Sequence, residues 1–177
     1  LSARAKLRWQ VLLSGAIAVW LYVDPIPVRF PGDPAAGPLS IFLPASGGAA
    51  LGMGIAFVAI VIFVLVGATN AVNLTDGLDG LAIGSTAVAA VPLAAFAFLC
   101  ARPEGVGPDV LPRAAGGAEV AVFLSALIGG GLGFLWLNCH PALIFMGDTG
   151  ALPLGGALGL AAVLCRAELV LLVAGGV

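Results

Sequence analysis

Long apolar runs separated by short polar stretches dominate the chain, and most of these runs are as long as a membrane-crossing helix. The runs, five complete and one that begins near the end, cover residues 7–23, 49–68, 81–100, 118–137, 151–165 and 169–177. An α-helix needs about 20 predominantly apolar residues to cross the hydrocarbon core of a bilayer. The pattern therefore predicts an all-α, polytopic transmembrane helix bundle with about five complete spans and a truncated sixth.

The stretch 24–48 interrupts this pattern because it is rich in proline and glycine. Proline in a helix interior removes a backbone hydrogen bond and clashes with the preceding turn. Residues 39–43 have the composition of one short strand between turn residues. We therefore expect a small hairpin here, outside the membrane.

Composition supports the membrane interpretation. Of the 177 residues, 61% are hydrophobic and only 9% are charged, whereas a soluble domain carries about 25% charged residues. The formal net charge is −2, which gives no indication of a nucleic-acid partner. We expect residues 1–177 to form a single integral-membrane domain, with the lipid bilayer as its surroundings and with the rest of a longer protein outside this chain.

Two polar stretches lie between the apolar runs and carry most of the candidate chemistry. They are residues 70–80, NAVNLTDGLDG, and residues 138–150, NCHPALIFMGDTG. The chain crosses the membrane once after the first stretch and returns before the second. Both stretches are therefore predicted to lie on the same membrane face.

The basic residues indicate which face this is. Arg4, Lys6 and Arg8 precede the first run, and two runs separate them from the first polar stretch, so they share its face. The other bases fall on the opposite face; they are Arg29, Arg102, Arg113 and Arg166. The clustered bases favour a cytoplasmic location for the polar stretches.

Carboxylates in these stretches could hold a metal ion. Asp76 and Asp79 are three residues apart, and Asp148 directly precedes a span, where it could act as the N-cap. The free amides of such a helix start attract phosphate. Mg²⁺ held by one or two carboxylates and by substrate phosphates suits this arrangement. The sequence predicts a metal-dependent site where the two stretches meet.

Each of these residues also has an ordinary structural explanation. Asp148 could be only a helix cap, Asp76 only a turn residue, and Phe145 only a lipid-facing ring. His140 could be a general base, a phosphate contact or a capping side chain. Three asparagines could bind substrate or satisfy helix ends; they are Asn70, Asn73 and Asn138.

Several motifs resemble one enzyme family. NAVNLTDGLDGLA at 70–82, NCHPA at 138–142 and FMGDTG at 145–150 are similar to the cytoplasmic loops of the phospho-N-acetylmuramoyl-pentapeptide transferase family, in the same order and spacing. LSARAKLRWQ at 1–10 resembles the entry into a central helix of that family. The resemblance covers essentially the whole chain. The wider superfamily of polyprenyl-phosphate sugar-1-phosphate transferases usually has other residues in the NLTDGLD part of the first motif.

The resemblance implies a reaction and a setting. Members of the family transfer phospho-MurNAc-pentapeptide from UDP-MurNAc-pentapeptide to undecaprenyl phosphate, which yields lipid I and UMP. They require Mg²⁺ and act at the cytoplasmic face of the bacterial plasma membrane, as homodimers of a ten-helix bundle. This chain would supply roughly the fourth to eighth helices and the start of the ninth, with the hairpin at 24–48 on the extracytoplasmic side.

The same resemblance implies roles for individual residues. Asp148 matches the metal-binding aspartate, and Asp76 matches an essential aspartate near the metal and the phosphates. Asp79 belongs to the turn that holds the uracil, and Phe145 matches the ring that stacks on it. The complete implied substrate-binding set is Asn70, Asn73, Gly77, Leu78, Asp79, Asn138 and Phe145.

Departures from the family leave alternatives open. The family's upstream aspartate pair and its downstream histidine-rich loop are absent from these 177 residues, so we expect the isolated chain to be inactive. Ala151 stands where the family usually has serine, and Pro153 where it usually has alanine. The alternatives are a transferase that uses UDP-GlcNAc, a membrane transporter with acidic ion sites, and a purely structural membrane segment.

Overall fold

The computed structural model describes residues 3–30, 33, 35–47, 49–103 and 111–175. Within these residues the fold is a bundle of α-helices with two very small antiparallel sheets. The helices are α1 (Ala3–Val23), α2 (Ala56–Thr75), α3 (Leu81–Cys100), α4 (Gly117–Asn138), α5 (Gly147–Leu164) and α6 (Glu168–Gly175). The strands are β1 (Val28–Arg29), β2 (Ser40–Phe42), β3 (Ala50–Gly52) and β4 (Arg113–Ala114).

Four helices in the described part of the chain are long and apolar enough to cross a membrane: α2, α3, α4 and α5. This confirms the prediction of a helical membrane protein. Helix α1 is 21 residues long but is not among the four, because Arg4, Lys6 and Arg8 lie in its first two turns. Its role as a further span stays a prediction.

Helix pairs with small contact residues hold the bundle together. Helix α3 packs most extensively on α4, α2 packs on α5, and α1 packs on α2. A Cβ atom at Gly155 of α5 would collide with the carbonyl oxygen of Ala68 and would lie 2.6 Å from Thr69 Cα. Small residues allow such close backbone approach between membrane helices. The small residues of α5 therefore form a packing surface against α2.

A cluster of glycines on α4 makes a close contact with α3 at one position. A Cβ at Gly131 would lie 3.0 Å from Ile83 Cδ1 of α3, whereas nothing among the described residues lies within 4 Å of a Cβ at Gly129, Gly130 or Gly133. Only one glycine of this cluster therefore contributes to the α3–α4 contact seen here.

The predicted hairpin is present as the antiparallel pair β2–β3, in which Ile41 faces Leu51. The second predicted span begins later than expected: residues 50–52 form β3, and α2 starts at Ala56 and continues to Thr75 instead of ending at 68. An apolar stretch that leaves a strand and enters a helix shows no break in hydrophobicity, so the pattern could not locate this boundary.

A second sheet joins segments that are far apart in the sequence. Strand β1 pairs with β4, and this pairing places Arg29 opposite Arg113. The guanidinium of Arg113 donates to the carbonyl oxygen of Arg102 at 3.1 Å, and that of Arg166 donates to the carbonyl oxygen of Pro38. These four bases lie at one end of the bundle, in agreement with the predicted sidedness. Strands of two residues leave no periodic signal, so the sheet itself was not predicted.

Candidate active site

The two polar stretches and the start of α1 meet at one end of the bundle. Asn73 Nδ2 donates to Asp148 Oδ1 at 2.8 Å, which links the end of α2 to the start of α5. Lys6 Nζ of α1 donates to the other oxygen, Asp148 Oδ2. This geometry confirms that both stretches lie on one face and that the amino-terminal basic cluster shares that face.

Asp148 is not the N-cap of α5, so that hypothesis is wrong. The helix begins at Gly147, its N-cap residue is Met146, and no side chain caps it. Asp148 lies in the first turn, where a negative charge still interacts favourably with the helix dipole. Its carboxylate bonds instead to the side chains of Lys6 and Asn73, from two other helices.

Asn70 and Asn73 lie on α2 and not in a loop, because the helix continues to Thr75. The side chain of Asn70 hydrogen-bonds to the preceding turn of the helix, where Nδ2 donates to Val66 O at 2.8 Å. The same amide donates to Gln10 Oε1 at 2.9 Å and so joins α2 to α1. Asn70 therefore has a helix-pairing role in this structure, whereas Asn73 bonds directly to Asp148.

The turn between α2 and α3 depends on glycine. Gly80 has φ +76°, and a Cβ there would lie 3.1 Å from Leu135 Cδ1, so both conformation and space favour glycine. Asp76 ends α2, with its amide bonded to Asn73 O at 3.3 Å. Its carboxylate accepts no hydrogen bond from the part of the chain that the structure describes. Gly77 and Leu78 are exposed.

The second polar stretch is fastened to this turn by two side chains. Buried Asn138 accepts a hydrogen bond from Gly80 N at 3.0 Å and donates to Ile144 O at 2.8 Å. Asp79 Oδ2 accepts from Ala142 N at 3.2 Å and lies 3.1 Å from His140 Nδ1. Asp79 and Asn138 therefore connect the two stretches to each other in this structure.

Phe145 presents its ring to the surroundings, with 77% of the residue exposed. It follows Ile144, whose carbonyl oxygen is held by Asn138. The ring is thus accessible although the backbone before it is fixed. Its predicted stacking role stays a prediction.

The donor set agrees with a partly substrate-held cation. Among the described residues, no group of three or more histidine, cysteine, aspartate or glutamate side chains is placed to hold a metal ion. Mg²⁺ is usually bound through one or two carboxylates together with water and phosphate oxygens. Asp148 Oδ2 already accepts a cationic group, the ammonium of Lys6. The accessible carboxylate of Asp148 therefore has chemistry that suits such an ion.

Sequence reasoning missed two residues of this network, Lys6 and Gln10. The basic cluster that contains Lys6 was used only to assign the membrane side. The same count of crossings that placed the cluster beside the polar stretches could have suggested a contact with their carboxylates.

Fold and site together define a multi-pass helical membrane protein with an acidic, hydrogen-bonded site at one face. Residues 1–166 match the family described as "Glycosyl transferase family 4". The chain belongs to that family.

Several curated relatives share one name. The chain is 44% identical over 176 residues to a phospho-N-acetylmuramoyl-pentapeptide-transferase of Oleidesulfovibrio alaskensis. The matched region covers 99% of this chain and 46% of that protein. It is 43% identical over 177 residues to the protein of that name from Citrifermentans bemidjiense, with 100% and 47% covered. A third, from Nitratidesulfovibrio vulgaris, is 45% identical over 176 residues, with 99% and 46% covered. The chain thus spans about half the length of these relatives.

Proposed function

We propose that the full-length protein carrying this chain transfers phospho-MurNAc-pentapeptide from UDP-MurNAc-pentapeptide to undecaprenyl phosphate, with lipid I and UMP as products. The observation that carries the proposal is the contact of Asp148 with Asn73 and Lys6, because it unites the matched motifs at one end of the bundle. The names of the relatives supply the substrate. The setting is a bacterial plasma membrane, with the site on the cytoplasmic side.

The reaction is a phosphoryl transfer between a lipid and a water-soluble nucleotide. An oxygen of the lipid phosphate forms a bond to the phosphorus that carries the sugar. The bond from that phosphorus to the bridging oxygen breaks, and UMP leaves with the electron pair. Such a reaction depends mainly on positioning and on neutralisation of phosphate charge. A site at the membrane face serves both substrates.

Charge neutralisation is assigned to Asp148, Asp76 and Lys6. In this proposal Asp148 and Asp76 hold Mg²⁺, which when bound supplies Lewis-acid stabilisation of the phosphate oxygens. Lys6 adds a further positive charge beside Asp148. Asn73 fixes the Asp148 carboxylate through Oδ1.

Nucleotide binding is assigned to the turn between α2 and α3 and to the second polar stretch, which is hydrogen-bonded to that turn. Asp79, Gly77 and Leu78 would hold the uracil, and the exposed ring of Phe145 would stack on it. Asn138 supports this arrangement because it bonds to both segments. In this proposal Asn70 acts from the edge of the site through its bond to Gln10.

The test is UMP release by the purified full-length protein with UDP-MurNAc-pentapeptide, undecaprenyl phosphate and Mg²⁺. We expect UMP release to require both the lipid phosphate and the metal. We also expect that UDP-GlcNAc cannot replace UDP-MurNAc-pentapeptide as the substrate. Release with UDP-GlcNAc alone would favour the other transferase, and substrate uptake into liposomes without UMP release would favour a transporter. The isolated 177-residue chain is expected to be inactive, and the full-length protein to sediment as a homodimer in detergent.

A further inference from the structure

We propose that His140 is a positioning residue for the nucleobase: it holds Asp79 by one carboxylate oxygen and leaves the other oxygen to the base. This inference rests on the proposed function, in which Asp79 faces the uracil. It assigns a role to the chain's single histidine, for which the sequence left several explanations open.

The first argument is the convergence of two donors on one atom. His140 Nδ1 lies 3.1 Å from Asp79 Oδ2, and Ala142 N donates to the same oxygen at 3.2 Å. An ionised carboxylate only accepts hydrogen bonds, so this contact is a hydrogen bond when the ring carries its proton on Nδ1. Asp79 Oδ1 accepts no hydrogen bond from the residues that the structure describes. Oδ2 is thus the anchored oxygen, and Oδ1 is the one that remains available to a ligand.

The second argument is that the same loop carries an accessible ring. Asn138 holds the carbonyl oxygen of Ile144 at 2.8 Å, and Phe145 follows with its ring exposed. An oriented acceptor on the turn between α2 and α3, and an aromatic face on the loop bonded to that turn, suit a planar base that has an N–H group on its edge. Uracil has this group at N3, whereas cytosine presents an unprotonated nitrogen at the same position.

The exposure of both side chains indicates that the His140–Asp79 contact contributes little to the stability of the fold. The side chain of His140 is 86% exposed and that of Asp79 is 27% exposed. Exposed ion pairs contribute little to folding because water and salt screen them. Removal of the imidazole should therefore leave the fold intact, while the Asp79 carboxylate, held only by Ala142 N, gains freedom to rotate.

The experiment compares UMP and CMP binding by calorimetry in the full-length protein, together with kcat and KM for UDP-MurNAc-pentapeptide. For His140→Ala we expect UMP binding to weaken about three- to tenfold, with CMP binding unchanged, KM raised in parallel and kcat within about twofold. His140→Asn places an amide N–H near the position of Nδ1 and is expected to retain most of the UMP preference.

A double-mutant cycle with Asp79→Asn tests whether His140 acts through Asp79. We expect His140→Ala to cause no further loss of UMP binding once Asp79 is changed. A wild-type UMP-to-CMP ratio in His140→Ala, equal losses in the alanine and asparagine variants, or additive effects in the cycle would each overturn the positioning role alone. A wild-type protein that binds no uridine nucleotide would overturn the proposed function as well.

Discussion

Two polar clusters at opposite ends of the bundle differ in how their charges are satisfied. At the site end, Lys6 and Asp148 bond to each other, and their side chains are 32% and 47% exposed. At the hairpin end, Arg166 and Glu168 are only 1% and 2% exposed. Arg166 is held by the carbonyl oxygens of Val163 and Pro38, and its guanidinium carbon lies 4.5 Å from the centre of the Phe57 ring.

This difference separates a site from a structural support. The Arg166 contacts are made by backbone carbonyls and a core ring, so the residue ties α5 to the hairpin and presents little to a ligand. The carboxylate of Asp148 is shared among three helices and is still accessible, so an incoming cation or phosphate can reach it. Charged residues in a membrane protein are costly unless they are paired or functional. Asp148 is paired with Lys6, whereas the buried carboxylate of Glu168 accepts no hydrogen bond from the described residues.

The largest effect on activity is expected from a charge change at the site end. Asp148→Asn keeps the shape of the side chain but removes its charge, and we expect UMP release by the full-length protein to fall about a hundredfold or more. The matched control is Glu119→Gln, an exposed acid in the first turn of α4 at the opposite end. Equal losses in both variants would show that net charge matters and that the site does not.

The next largest effect is expected where α5 approaches α2. A methyl group at Gly155 would collide with the backbone of Ala68, whereas one at Gly156 would lie 3.6 Å from Thr69 Oγ1, an ordinary contact. Gly155→Ala should therefore separate the helices that carry Asn73 and Asp148 and lower both the yield of folded protein and UMP release. Gly156→Ala should resemble the wild type. Indistinguishable variants would argue against the close α2–α5 packing.

A smaller effect on activity is expected at the hairpin end, where stability should change instead. Arg166→Met removes the guanidinium donor from the carbonyl oxygen of Pro38 and one of two donors from that of Val163, and we expect the melting temperature to fall by about 6–12 °C. KM for the nucleotide substrate should stay within about twofold below that temperature. Arg8→Met, at an exposed position on α1, is the control and should shift melting by less. A raised KM in Arg166→Met would contradict the division between the two ends.

The fold was largely predictable because hydrophobicity is the dominant signal in a membrane chain. Counts of crossings placed Lys6, Asp76 and Asp148 on one side, and the Lys6–Asp148 contact agrees with this count. The boundary of α2 was not predictable, because residues 49–55 are as apolar as the helix that follows. The pairing of β1 with β4 was also not predictable, because strands of two residues are too short to show alternating hydrophobic and polar positions.

The structure brings together several residues that the sequence selected, but the contacts between them were not predictable. The sequence selected Asp79 and Asn138 as ligand-binding residues, yet it contained no sign that they also fasten the two polar stretches together. Asp148 has the residue type and position of a helix cap, but the side chains of Lys6 and Asn73 compete for its oxygens. Such competition depends on tertiary distances, which a local motif does not encode.

The most direct test of the central claim is whether Asn73 and Asp148 are neighbours in the membrane. Cysteines at both positions, in full-length protein with exposed Cys139 replaced by serine, can be treated with a short thiol cross-linker and analysed by peptide mass spectrometry. We predict efficient cross-linking of this pair and none for the control pair of cysteines at Asn73 and Glu119. Equal cross-linking of the two pairs, or none in either, would contradict a site assembled from the two polar stretches.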